Sequence, residues 1–310
     1  MTLPPLLRDR LSLPLIGSPM FIISQPDLVI AQCRSGIVGA FPSLNARPSG
    51  MFEQWLQKLA GALTEQDAPF AVNLIVHRTN TRLEEDLELC VRYRVPIVIT
   101  SLGAREDVNQ AIHSYGGIVL HDVINNMFAR KAVEKGADGL IAVAAGAGGH
   151  AGTLSPFALV QEIRQWFDGP LALSGAIATG RAIAAARMMG ADLGYMGTPF
   201  IATQEANAEA AYKQMIVDGS AADIVYSDVF TGVLGNYLRP SIVAAGLDPD
   251  ALPKAKDMDF ASLTGGEKKA WRDVWGAGQG IGAIAKVQPA ADFIAGLKAQ
   301  YRAAVEGFTA

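Results

Sequence analysis

Residues 142–152 read AVAAGAGGHAG. Apart from Val143 and His150, every residue there is Gly or Ala, so one imidazole stands in a run of almost bare backbone. Histidine titrates near neutrality and can exchange a proton or hydrogen-bond a developing anion. Most lone histidines are structural. His150 gains a functional reading because it follows the apolar block GLIAV (139–143), where a barrel strand would hand over to its loop. A ledge without side chains also lets a flat ring rest against backbone. Two further loops share this character: SGAIATG (174–180) and GTPFIAT (197–203), with a hydroxyl at Thr198. Small residues let backbone amides approach phosphate oxygens without help from Lys or Arg.

Other reactive groups have weaker placements. His121 and Asp122 follow the fifth apolar block and form a candidate base with its carboxylate, but residues adjacent in sequence rarely face each other. His77, just past Asn73, is expected at a rim, and His113 is expected in a solvated helix position. Cys33 and Cys90 fall in helical segments and read as packing residues. Met20 reads as core, or as a strand-end contact to a ring. No His or Cys cluster has metal-ligand spacing, and GAGGHAG matches neither a Walker nor a dinucleotide fingerprint.

The elements that must position these residues are short apolar blocks bounded by Gly, Pro or Asp. They are LPLI (13–16), IVGA (37–40), FAVNL (70–74), PIVIT (96–100), GIVL (117–120), GLIAV (139–143), LALS (171–174) and LGYMG (193–197). Continuous apolar blocks suit strands buried on both faces, and segments such as TRLEEDLELCVRY between them have helical periodicity. Eight such units predict an α/β fold, a TIM (β/α)8 barrel over 1–204, in preference to an open doubly wound sheet. KGADGLIAV and MGADLGYMG look like one helix-to-strand junction used twice. Residues 205–275 are expected to form a helical addition over the barrel mouth, and 276–310 to return to the barrel, ending in an amphipathic helix.

Composition narrows the function. The chain has 310 residues, half of them hydrophobic, a net charge of −4 and scattered Lys and Arg, which argues against nucleic acid. No apolar run is long enough for a bilayer, and the N-terminus lacks a signal-peptide pattern. Two cysteines fit a reducing cytoplasm.

GSPM (17–20), PFAVNL (69–74), AGGHAG (147–152), SGAI (174–177), YMGTPFIAT (195–203), FTGVLGNYLRP (230–240) and WGAGQGIGAI (275–284) occur in this order across nearly the whole chain. In them the chain resembles the nitronate monooxygenases, formerly 2-nitropropane dioxygenases. It is also similar to their relatives, the flavin-dependent enoyl-ACP reductases and a group of NADH:quinone reductases. The resemblance implies a TIM barrel holding FMN noncovalently. It implies a phosphate near Ser174, Gly175 and Ala176 and near Tyr195, Met196, Gly197 and Thr198. It implies flavin contacts from Pro19, Met20, Asn73, Gly148 and Gly149, and it makes His150 the catalytic histidine. The implied reaction oxidises an alkyl nitronate with O₂ to a carbonyl compound and nitrite, in a monomer or homodimer. Two alternatives remain: an NAD(P)H-dependent flavin reductase acting on quinones or enoyl thioesters, and a flavin- or phosphate-binding barrel without turnover. The chain departs from the family pattern at Val143 (often Gln), Gly146 (often Glu), Ala176 (often Gly) and Pro199 (often Arg), and some relatives carry Lys at Asp122.

Overall fold

In strands buried on both faces the apolar residues need not alternate, and the eight blocks behave accordingly. In the computed structural model, which describes residues 3–48, 50–252 and 273–309, they form β1 (Leu15–Gly17), β2 (Gly39–Pro42), β3 (Phe70–Ile75), β4 (Ile97–Ser101), β5 (Ile118–Val123), β6 (Gly139–Val143), β8 (Leu171–Ser174) and β9 (Leu193–Met196). A two-residue strand, β7 (Gly149–His150), interrupts the count, so β8 and β9 are the seventh and eighth barrel strands. All eight pair in parallel in the order β1-β9-β8-β6-β5-β4-β3-β2, and a parallel bridge between Ile16 and Val38 closes the ring. The chain is a TIM barrel.

The interior is a layered core. Ile16, Ala40, Ala71, Ile99, Leu120, Ile141, Ala172 and Leu193 pack inside it with Leu7 from the N-terminal helix Pro5–Arg8. The repeated Gly-Ala-Asp junction has a physical basis. Gly136 (φ +92°) and Gly190 (φ +110°) end their helices in the left-handed region, which glycine adopts most readily. The following Asp138 and Asp192 accept the N–H of Val119 and Leu171, one strand back, at 2.7 and 2.9 Å.

Beyond β9 the chain is mixed rather than helical. Helix Ala210–Asp218 is followed by the antiparallel pair β10 (Ile224–Ser227) and β11 (Gly235–Leu238), then helix Arg239–Ala244. GNYL was not expected to be a strand. Two of its residues are Gly and Asn, and its pairing partner β7 lies in the loop after β6, which no local pattern reveals. The part of the expected addition at 253–272 lies outside the described residues. The terminal helix Ala290–Thr309 packs on helix Gly180–Met188 and on helix Pro26–Arg34.

Gly180 is where that contact is closest. A Cβ there would lie 2.2 Å from the Leu297 carbonyl oxygen and 2.5 Å from the Tyr301 nitrogen, both backbone atoms. Gly→Ala in a helix ordinarily adds about 0.5–1 kcal/mol of stability. Here overpacking reverses the sign, and Gly180→Ala is expected to lower the urea-unfolding free energy by about 1–3 kcal/mol.

Candidate active site

The C-terminal ends of the barrel strands carry a layer of inward residues above the apolar core: Asn73, Ser101, Asp122, Val143, Ser174 and Tyr195. A cavity of about 1060 Å³ opens above them. Asn73 donates both Nδ2 protons, to the Ile99 carbonyl (3.0 Å) and to Ser101 Oγ (2.8 Å), which leaves Oδ1 as its acceptor. Ser101 in turn donates to Asp122 Oδ2 at 2.6 Å. Burial pushes the Asp122 carboxyl up to about 6, against the pull of Ser101. Burial and the nearby Asp122 charge hold the Tyr195 phenol well above its ordinary range. His121 also borders the cavity, but its Nδ1 lies 2.6 Å from Thr100 Oγ1 rather than on Asp122, and burial lowers it to about 4. The His121–Asp122 dyad therefore does not exist.

The glycine run after β6 has a role beyond the one expected of it. Gly146 (φ +85°) offers its carbonyl to the N–H groups of Ala176 (3.2 Å) and Gln279 (2.9 Å). A Cβ on Gly148 would meet Gly278 N at 2.8 Å and Thr198 Oγ1 at 3.1 Å, and one on Gly278 would meet Gly146 O at 2.7 Å. The space left by the missing side chains is filled by the chain's own segment 276–280 rather than by a ligand. Gly146, Gly148 and Gly149 still line the cavity with backbone, and Gly276 and Gly280 join them. The Gly278 N–H donates to Thr198 Oγ1 at 2.8 Å, so the Thr198 oxygen is a structural acceptor as well as a cavity group.

His150 is held from the post-barrel segment. β7 pairs with β11 (Gly235 opposite His150), and Asn236 Nδ2 donates to the Ala147 carbonyl at 2.6 Å. The buried Thr231 Oγ1 lies 2.9 Å from His150 Nε2 and donates its own proton to the Val233 carbonyl at 3.0 Å. Tyr237 OH lies 3.4 Å from the same Thr231 oxygen, so Nε2 is tied into a buried Thr231–Tyr237–Val233 cluster whichever ring nitrogen carries the proton. Burial lowers the imidazole to about 4, so it is neutral at ordinary pH.

Pro19, Met20, Asn73, Gly148, Gly149, His150, Ser174, Gly175, Ala176, Tyr195, Gly197 and Thr198 all border this one cavity. Met196 does not. Its side chain is 1% exposed and packs in the outer core with Ile183 and Phe200, because the side chain preceding it, Tyr195, takes the inward position. Gly197 is constrained, since a Cβ would lie 3.0 Å from Ser18 Oγ. Two departures carry a visible consequence. Ala176 sits at φ +55°, a left-handed position that suits Gly. Pro199 stands in the first turn of the short helix Thr198–Ile201 and removes an amide there. Of the remaining candidates, His77 lines the cavity and contacts Thr79, while His113 pairs with Asp138 at 2.8 Å. Cys33 and Cys90 are fully buried with raised pKa values, as packing residues. Among the described residues no group of acids, histidines or cysteines could hold a metal, and no helix is long and apolar enough to cross a membrane. Thr231, Asn236 and Ser101 were not foreseen. Thr231 is 81 residues from His150, and only the fold brings them together.

These features define a TIM barrel with a lined cavity at its strand C-termini. Comparison with known proteins agrees. The family model for nitronate monooxygenase matches residues 77–300, and the chain belongs to that family of oxidoreductases. It is 25% identical to a nitronate monooxygenase of Paraburkholderia phytofirmans, over 94% of this chain and 93% of that one. Its fold is similar to that of a nitroalkane oxidase from Streptomyces ansochromogenes (TM-score 0.85, 24% identity, 97% of this chain and 99% of that one). It is also similar to FabK from Thermotoga maritima (TM-score 0.79, 24% identity, 98% and 96%).

Two predictions follow from the His150 environment. Thr231→Val removes a buried hydrogen-bond partner of His150 Nε2 and should destabilise the protein by about 1–3 kcal/mol in urea, with Thr231→Ser restoring most of it. The second concerns pH. His150 and His121 are held near 4 in the fold but titrate near 6.5 when unfolded, so their contribution is intact above about pH 6.5 and lost as pH falls toward about 4. Unfolding free energies of His150→Asn should fall less steeply than wild type across that window; parallel curves would contradict this.

Proposed function

We propose that the protein is an FMN-dependent enzyme that oxidises alkyl nitronates with O₂ to a carbonyl compound and nitrite. The observation that carries the reading is His150: a neutral imidazole, oriented through Nε2 by Thr231, at the edge of a cavity whose wall is backbone. The cavity fits a flavin. Its volume of about 1060 Å³ sits at the upper end of the range for ligand sites and leaves room for a substrate beside a ring system. Gly175 and Gly197 line the cavity without side chains, so a phosphate can approach backbone there.

In this reading Gly175, Gly197 and Thr198 hold the phosphate. Ala176 contributes less than expected, because its N–H already serves the Gly146 carbonyl. Pro19, Met20, Gly148 and Gly149 bound the ring, and Asn73 Oδ1 accepts from it. When bound, flavin supplies the electron transfer from substrate to O₂. As a neutral imidazole His150 removes the α-proton of a neutral nitroalkane, or, in the tautomer whose ring N–H faces the substrate, donates that N–H to a nitro oxygen. Val143, inward beside Ser174, leaves an apolar contact where relatives have an amide.

A second reading is NAD(P)H-dependent reduction of a quinone or enoyl thioester. One observation favours it: the strand-end layer holds a carboxyl and no cation among the described residues, which suits a neutral carbonyl acceptor better than an anion.

The test is anaerobic mixing of the purified yellow protein with ethyl nitronate, NADH or NADPH in turn. Loss of the oxidised flavin spectrum with nitronate alone supports oxidation; loss with a nicotinamide alone supports the second reading. His150→Asn should retain FMN and lower turnover at least tenfold, ~1.4 kcal/mol in barrier. Lost FMN with unchanged turnover per bound flavin would give His150 a different role.

A further inference from the structure

The carboxyl of Asp122 has no role in the nitronate chemistry above, yet it belongs to the inward layer that lines the cavity. Its position is built. Ser101 donates to it at 2.6 Å, and Ser101 is itself fixed by Asn73 at 2.8 Å. What faces it can be counted by element. β3 brings Asn73, β4 brings Ser101, β6 brings the apolar Val143, and β9 brings the Tyr195 phenol. His121, next in sequence, borders the cavity too, with its Nδ1 on Thr100 and its pKa lowered by burial to about 4. His150 across the cavity is neutral. Arg47 and Lys131 also line the cavity but are solvent-exposed, where water and salt screen them. Asp228 is a further acid in the lining. His77, half-buried beside Thr79, is a further titratable group in the lining. Among the described residues no buried Lys or Arg lines the cavity to oppose a negative charge on Asp122.

We propose that Asp122 sets the reduction potential of a flavin held in this cavity, its carboxylate opposing the negative charge the flavin gains on reduction. The inference rests on the flavin reading of the site. Two-electron reduction takes up two electrons from the reductant and, above neutral pH, one proton from solvent, so the ring system gains one net negative charge. A like charge in a low-dielectric wall disfavours that product. Protonation of the carboxyl removes the opposition. Burial raises its pKa to about 6, so the effect belongs to the neutral and alkaline range.

The experiment is a spectroelectrochemical titration of the FMN-loaded full chain from pH 5 to pH 8.5, for wild type, Asp122→Asn and Ser101→Ala, beside free FMN in the same buffers. At pH 8 the Asn variant should favour reduced over oxidised flavin at least tenfold more than wild type, ~30 mV for a two-electron couple. The difference should close toward pH 5. Ser101→Ala removes a donor that steadies the carboxylate, so the difference should open at a higher pH. A difference under threefold at pH 8, or one that persists unchanged to pH 5, overturns the proposal. Should the Asn variant fail to fold, the wild-type curve decides: it must fall below that of free FMN as pH rises through about 6, and parallel curves overturn the proposal. A protein that neither carries nor takes up FMN refutes the flavin reading itself, an outcome distinct from a flavoprotein whose potential ignores Asp122.

Discussion

Two strips of backbone, 146–149 and 276–280, lie so close that neither tolerates a side chain at the crossing. Gly148 meets the Gly278 nitrogen, Gly278 meets the Gly146 oxygen, and each imagined Cβ would fall within 3 Å of the other strip. The Gly146 carbonyl accepts from Gln279 on this side and from Ala176 on the barrel side. That one oxygen ties together the loop after the sixth barrel strand, the loop after the seventh and the segment beyond the barrel. The rest of the site depends on this junction. It brings β11 against β7, and with it Thr231 to His150. Tyr212 reinforces it from behind, stacking on Trp275 at 4.7 Å and donating to the Gly276 carbonyl.

The electrostatic character of the cavity follows from what the junction and the strand ends exclude. Burial holds the imidazole neutral and the phenol protonated, and it lifts the one carboxyl of the strand-end layer toward neutrality. Charge is expensive in such a wall, so hydrogen bonds do the positioning: Asn73 to Ser101, Ser101 to Asp122, His150 to Thr231. A site of this kind orients a ligand through fixed dipoles and leaves electron transfer to whatever it binds. The backbone strain at Ala176, where a left-handed conformation is forced on a residue with a Cβ, lies at the same crossing.

The barrel was legible because its signal is local. The blocks GLIAV and LALS coincide with the observed strands to the residue, while LPLI and IVGA lie up to two residues before theirs. The doubled Gly-Ala-Asp junction also reads correctly, since helix ending and strand capping are set within a few residues. The site was partly legible. Gly175, Gly197 and His150 announce themselves by residue type and position. Met196 did not follow, because the notion of a binding loop ignores the alternation that turns every second strand residue outward. β11 and Thr231 could not be found this way. GNYL has no alternating pattern, and its partner β7 is two residues long and 85 positions upstream by its Gly235–His150 pairing. By residue type alone the glycines of 146–149 form a ledge for a ligand. Their crowded neighbours prove to be glycines 130 residues further on, a contact that exists only once the barrel has closed.

The most direct measurement of the central claim is a crystal structure of the flavin-loaded protein. The account predicts ring density along the backbone of Gly148 and Gly149, with the phosphate between the Gly175 and Gly197 loops. It also predicts 276–280 still seated on the glycine run, and His150 beside the ring with Nε2 on Thr231. A flavin bound elsewhere, a displaced 276–280 segment, or a His150 side chain turned away from the ring would contradict it.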